Sequence, residues 1–290
     1  MRELRIHACA LLAAVLLPLC AAPAAAAPVS AAGTLEPAID CATGPDRPNP
    51  VVLLGGFGGV GDIGATLDKQ LAGITTGIRA AGGCPLIFGY GIIGPVHAAA
   101  PVPESARQVE EFVDKVLATT GADRVDIVAH SSGALVADYY VKLLHGDSHV
   151  RRMVQLAPVT RGTTGATLVA GLDIPGVPGG PAELIQEVAN PLRDTVFAGL
   201  RGALDCLAGS EVTREVLAGG VTRPGVRYAV LAARGDQVLT PPGTASFIEE
   251  PGVVNEFFED RYPGAGVAGH ATLPMQPDAA HWVLEQLFSE

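Results

Sequence analysis

No run of basic residues occurs anywhere in this chain, and charge of either sign is scarce. Asp, Glu, Lys and Arg make up 17% of the 290 residues, and 30 acids against 19 bases leave a formal net charge of −11. That sign repels a phosphate backbone, so nucleic acid is excluded as a partner. The apolar stretch at residues 8–21, interrupted by Pro18, falls short of the ~20 residues that a spanning helix needs. The glycine-rich stretch at 55–59 has neither GxGxxG spacing nor a Lys-Ser/Thr ending, which removes the nucleotide-binding loops. His97, His145 and His149 lack carboxylates or cysteines at metal-ligand spacing, so no metal site and no cofactor is expected. No internal repeat stands out.

What is present begins with an export signal. Arg2 and Arg5 precede the apolar stretch, and residues 24–27 offer Ala-x-Ala cleavage sites. Residues 1–27 therefore read as a secretory signal peptide, with an uncleaved anchor as the alternative. Removing Arg2, Arg5 and Glu3, a net +1, takes the formal charge from −11 to −12. Residues 28–48 form a Pro-rich N-terminal arm, and 49–290 suffice for one domain with an ample core. So little charge leaves apolar surface that suits a greasy substrate.

Cys9 and Cys20 depart with the signal, leaving Cys41, Cys84 and Cys206. An exported chain favours pairing. Cys41 lies just before the first core strand and Cys84 opens the next, so Cys41 to Cys84 is the preferred bridge. On the chain-entropy model, closing that 43-residue separation contributes about 4 kcal/mol. Cys206 is left over as a small buried hydrophobe.

Strand patterns at 49–56, 85–90, 125–129, 151–157 and 226–233 alternate with helix patterns at 66–81, 104–120, 133–145 and 278–288. In 104–120, for example, Val109, Phe112, Val113, Val116 and Leu117 share one helical face. The alternation predicts an α/β fold with a mostly parallel central sheet flanked by helices. Residues 160–220 break the rhythm. Glycine and proline crowd 172–181, helical spacing resumes over 184–207, and the whole reads as an insertion. It forms either a helical cap or lid over the active site or an ordinary packed helical pair.

The stretch from Val125 to Gly133 reads Val-Asp-Ile-Val-Ala-His-Ser-Ser-Gly. A β-branched strand here runs straight into a serine with very small residues two before and two after it. That is what a nucleophile elbow demands, because the serine sits on a strained strand-to-helix turn where larger side chains would collide. Were Ser132 the nucleophile, the bulky His130 would occupy one of those positions, so Ser131 is selected. Ser132 then offers its backbone N–H to the oxyanion. His130 reads as a structural histidine, because neighbours in so tight a turn point away from the nucleophile.

A serine hydroxyl needs a base, and the base an acid that orients it. In this type of fold the order along the chain is Ser, acid, His. Asp236 follows the strand at 226–233, on a loop at the C-terminal end of a sheet strand where a triad acid belongs, with Asp173 and Asp260 as fallbacks. Beyond it lie two histidines, His270 in a loop and His281 on the last helix. His270 is the expected base, and His281 a packing or surface residue. The turn at 55–59 permits close backbone approach, making the Phe57 N–H the candidate for the second oxyanion donor.

These residues together resemble the secreted actinobacterial lipases and esterases of the α/β-hydrolase superfamily, and more distantly the Candida antarctica lipase B type. The resemblance runs from about Cys41 to Phe288. It is carried by Asn49-Pro-Val-Val-Leu-Leu-Gly-Gly, the Ala-His-Ser-Ser-Gly elbow, Leu156-Ala-Pro-Val-Thr-Arg-Gly-Thr163, Pro224-Gly-Val-Arg-Tyr-Ala-Val-Leu, Gly235-Asp-Gln-Val-Leu-Thr-Pro241 and Gly269-His270. It implies ester hydrolysis with Ser131, Asp236 and His270 as triad, and a disulfide matching Cys41 and Cys84. Two departures matter. Gly55-Gly56-Phe57 stands where many relatives have His-Gly-Thr, so an assisting threonine hydroxyl is missing. A family cysteine shortly before the base has no counterpart in 259–269, which leaves Cys206 unpaired. The expected protein is a secreted monomer hydrolysing small-molecule or lipid esters, with transient lipid-interface contact. An acyltransferase using the same triad and a catalytically silent binding module are the alternatives.

Overall fold

In the computed structural model, residues 32–165 and 185–289 are described, apart from 188, 193, 195 and 196. The expected signal peptide at 1–27, Asp173 and the Gly/Pro-rich stretch of the expected cap lie outside the described residues.

Short apolar runs build the sheet. β2 (Val51–Leu54) and β6 (Val125–His130) are buried along their whole length, as a parallel sheet covered on both faces requires. They pair with β4 (Pro85–Ile92), β7 (Val150–Leu156), β8 (Arg227–Ala232) and β9 (Val254–Phe257) in the order β4-β2-β6-β7-β8-β9, all parallel. β1 (Gly33–Leu35), within the expected arm, adds an antiparallel edge to β4. β3 (Gly58–Val60) and β5 (Val96–His97) form a separate antiparallel pair.

Helices cover both faces: α1 (Ile63–Ala80), α2 (Val102–Thr120), α3 (Ser132–Leu143) and α7 (Pro277–Phe288), with shorter α4 (Arg201–Asp205), α5 (Glu211–Leu217) and α6 (Phe258–Arg261). α1 starts at Asp62, whose carboxylate accepts the Ala65 N–H, and it buries Leu67, Leu71, Ile74 and Ile78 at helical spacing. α2 buries Val109, Phe112, Val113 and Val116, and Phe112 stacks on Phe88 of β4 with ring centroids 4.3 Å apart. Each such side chain contributes about 1.5–3 kcal/mol. α2 stops at Gly121, which takes a left-handed φ of 70° and returns its N–H to the Leu117 carbonyl; glycine adopts that conformation without steric cost.

The described part of the 160–220 insertion is tied to the body of the fold. Asp205 accepts the Val102 N–H at the start of α2, and the Gly202 N–H reaches the Ala99 carbonyl. Lys142 of α3 donates to the carbonyls of Val216, Ala218 and Gly220, holding the end of α5. The helical pattern expected over 184–207 appears in pieces: residues 185–187 and 189 are helical, 3-10 turns follow at Asn190–Leu192 and Ala198–Leu200, and α4 comes last. Cys41 and Cys84 are joined, the bridge expected from the sequence, with Cα atoms 5.4 Å apart. Cys206 is free and buried.

The strand order sets where a ligand can enter. From β2 the chain steps one way to β4, then returns past β2 to β6 and continues away from it. Loops leaving β2 and β6 therefore diverge, and a crevice opens at their carboxyl ends. Residues 55–57 and Ser131 sit at that point.

Candidate active site

Ser131 follows the last residue of β6 and precedes the first of α3, with φ 56° and ψ −127°. An L-residue there costs on the order of 1–3 kcal/mol and persists only if its surroundings enforce it. The enforcement is visible on both sides. A β-carbon added at Gly133 would stand 2.6 Å from the Gly55 carbonyl oxygen, and one at Gly56 would stand 2.7 Å from Ser131 Cβ. Both positions admit only glycine without backbone displacement. As the residue before α3, Ser131 makes no side-chain cap bond; its hydroxyl is engaged elsewhere.

That engagement is with His270, whose Nε2 lies 2.8 Å from Ser131 Oγ. On the ring's other side, Nδ1 lies 2.7 Å from Asp236 Oδ2. Asp236 reaches it from the loop after β8. Its second oxygen accepts the N–H groups of Val238 and Leu239, each at 2.8 Å. Burial opposes ionisation of this carboxyl, but the His270 ring and the two backbone donors outweigh it and hold the group below its usual range. It thus stays an anion facing a ring N–H. Ser132, by contrast, is buried and takes no part in this chain of bonds.

The other sequence candidates lie apart from this chain of bonds. Asp260 is exposed and paired with Arg234 at 2.5 Å, and His281 is exposed beside Glu285 at 3.2 Å. His130 is buried, and its ring nitrogens bond to groups other than Ser131 Oγ. Its Nε2 donates to the backbone carbonyl of His270 at 3.0 Å, leaving Nδ1 to accept from Gln70 Nε2 at 3.3 Å. Burial, then the charge of His270, pushes its pKa down to about 3, so it is neutral and can keep both bonds. Gln70 and His130 thereby brace the loop that carries His270. Sequence spacing gave no sign of this, because the partners are 140 positions apart.

A cavity of about 110 Å³ opens beside Ser131, lined among others by Gly56, Phe57, Ile63, Leu67 and His270. Phe57 stands at its edge, 39% exposed. Ser132 is the first residue of α3, so its N–H has no intrahelical acceptor.

Several solved structures share this architecture. Aspergillus fumigatus lipase B superposes with a TM-score of 0.61 at 17% identity over 88% of this chain. The mature form of Bacillus licheniformis lipase BlEst2 gives 0.56 at 12% identity, covering 89% of this chain and 98% of that one. MGS-MChE2, an α/β hydrolase from a lagoon-sediment metagenome of Mar Chica, Morocco, gives 0.52 at 18%, covering 88% and 93%. The fold is that of the α/β-hydrolases. This hydrolase-fold chain spans only 55% of the length of the Aspergillus protein. A family model described as lipase (class 2) matches residues 97–169, the segment that contains the elbow.

Proposed function

We propose that the chain is an exported serine ester hydrolase of lipase type, acting on small-molecule or lipid esters. The observation that carries this reading is the continuous hydrogen-bond chain from Asp236 through His270 to Ser131, at a serine held in elbow geometry. In this account His270 Nε2 takes the Ser131 proton while Oγ attacks the ester carbonyl carbon. The Phe57 and Ser132 N–H groups receive the negative charge that develops on the carbonyl oxygen. As the tetrahedral intermediate collapses, the C–O bond to the alcohol breaks and His270 protonates the leaving oxygen. Water, deprotonated by His270, then attacks the acyl-enzyme and releases the acid. Asp236 keeps the Nδ1–H tautomer in place and offsets the positive charge on the ring during each transfer.

The match of residues 97–169 to the lipase (class 2) model supports the choice of esters. Phe57 at the cavity, and Val267 and Met275 within about five positions of His270 along the chain, expose apolar side chains, which supports transient contact with a lipid interface. The Cys41–Cys84 disulfide supports export to an oxidising compartment. Residues 160–220 remain the proposed cap. Ser131→Ala should lower kcat on p-nitrophenyl esters by a factor on the order of 10⁶, since triad members act as a unit. Wild-type turnover in that variant would overturn the reading.

A further inference from the structure

We propose that His97 is a positioning residue for this hydrolysis: by holding the Gly56 carbonyl, it fixes the direction of the Phe57 N–H in the same peptide unit. The proposal rests on the reading of Phe57 as an oxyanion donor.

The turn that carries this donor is intrinsically loose. Gly55 and Gly56 together have more backbone freedom than any other pair of residues, yet an oxyanion donor is effective only when aimed in advance. Two side chains supply the restraint. Tyr90 Oη donates to the Gly55 carbonyl at 2.7 Å, and His97 Nδ1 lies 2.9 Å from the Gly56 carbonyl. The backbone N–H of Tyr90 in turn points at His97 Nε2, at 3.3 Å. A carbonyl only accepts and a backbone N–H only donates, so the two partners dictate a proton on Nδ1 and none on Nε2. The ring is 1% exposed, packs edge-on against Tyr90 and is held neutral by burial.

A trans peptide unit is planar, with its C=O and N–H on opposite edges. Turning the Gly56 carbonyl toward His97 therefore turns the Phe57 N–H away from it. That edge is left for the oxyanion, because Gly56 abuts Ser131 and Phe57 shares its cavity. The backbone of His97 also pairs with Gly58 in the β3–β5 pair. One residue thus grips the chain on both sides of Phe57.

The test compares kcat and KM of His97→Ala, His97→Asn and His97→Gln on a soluble p-nitrophenyl ester, normalised to sites titrated with a fluorophosphonate. Misdirecting one donor should lower kcat of His97→Ala on the order of 10- to 100-fold, with KM within about twofold. Asn places an amide donor near the position of Nδ1 and should recover most of kcat. Gln carries its amide one methylene further, toward Tyr90, and should stay impaired. An unchanged kcat per titrated site in His97→Ala, a loss confined to KM, or Asn no better than Gln would overturn the positioning role. If His97→Ala does not fold, the Asn and Gln pair decides alone. Ser131→Ala, which has no site to titrate and is normalised to protein concentration instead, separates the two levels. Full turnover there overturns the hydrolase reading itself, whereas an inactive Ser131→Ala beside a full-speed His97→Ala overturns only the role of His97.

Discussion

Gly56→Ala is the substitution through which the packing around Ser131 can be read as a number. The new methyl would stand 2.7 Å from Ser131 Cβ and 3.2 Å from both Ser131 Oγ and His130 Nδ1. Carbon atoms in ordinary contact sit about 3.5–4.0 Å apart, so the clash with Ser131 Cβ amounts to roughly 0.8 Å or more. Ser131 cannot yield, since its backbone is already in a strained conformation between β6 and α3. The turn at 55–57 must move instead, and the Phe57 N–H moves with it. Overpacking of this kind costs about 1–3 kcal/mol. A misplacement near 1 Å costs about 100-fold in rate. At about 2–4 °C per kcal/mol for a domain of this size, Tm should drop by several degrees. The assay is p-nitrophenyl ester turnover per titrated site, alongside a thermal melt. Gly264→Ala serves as control, because a β-carbon there meets nothing within 4 Å. If Gly56→Ala matches the control in kcat, the turn does not crowd the nucleophile and the oxyanion reading of Phe57 fails with it.

Further expectations concern the acid, the disulfide and pH. Asp236→Asn should lower kcat by about 10³- to 10⁴-fold, since an amide no longer enforces the Nδ1–H tautomer; a loss below tenfold would contradict the role given to Asp236. Replacing Cys41 and Cys84 by serine, a separation of 43 residues, should cost about 4 kcal/mol, and an unchanged urea midpoint would refute that. His130 is held at about 3, against an ordinary 6.5, so the unfolded chain takes up its proton first on acidification. The stability it supports is lost as pH falls from 6.5 toward 3, at up to about 1.4 kcal/mol per unit. Asp138, buried beside Gln155, is raised by burial from 3.8 to about 7 and works oppositely, its contribution present below 3.8 and lost as pH rises to 7. Asp138→Asn should therefore gain stability over wild type between pH 4 and pH 7.5 in urea melts, and a difference that does not change with pH would count against it.

Much of the fold was legible because its signals are local. The Val-rich runs of β2 and β6 are buried on both faces, and such strands announce themselves by composition. α1 and α2 follow from helical spacing, although both begin a little earlier than the apolar pattern. Asp62 caps the first, and the second takes its cap from Asp205, 103 positions away. β9 went unread because its residues are half exposed and show no apolar run. The β3–β5 pair went unread because one strand is short and glycine-rich and the other has two residues. At the site, Ser131, Asp236 and His270 were selected by chain order and by the small residues around the elbow, and the structure brings the three within hydrogen-bond distance. His130 reads as structural from its place in the turn, but the partners through which the two buried histidines act left no trace. His97 acts on Gly56 across 41 positions, and His130 on the base loop across 140. No local pattern encodes either.

The central claim is that Ser131 becomes acylated with His270 as its base, and mapping a covalent adduct tests it most directly. The folded protein is treated with a fluorophosphonate, digested, and the adduct located by tandem mass spectrometry at the resolution of single residues, because Ser131 and Ser132 are adjacent. The account predicts stoichiometric labelling of Ser131, abolished in His270→Ala. An adduct on Ser132, labelling that survives the loss of His270, or no adduct at all would contradict it.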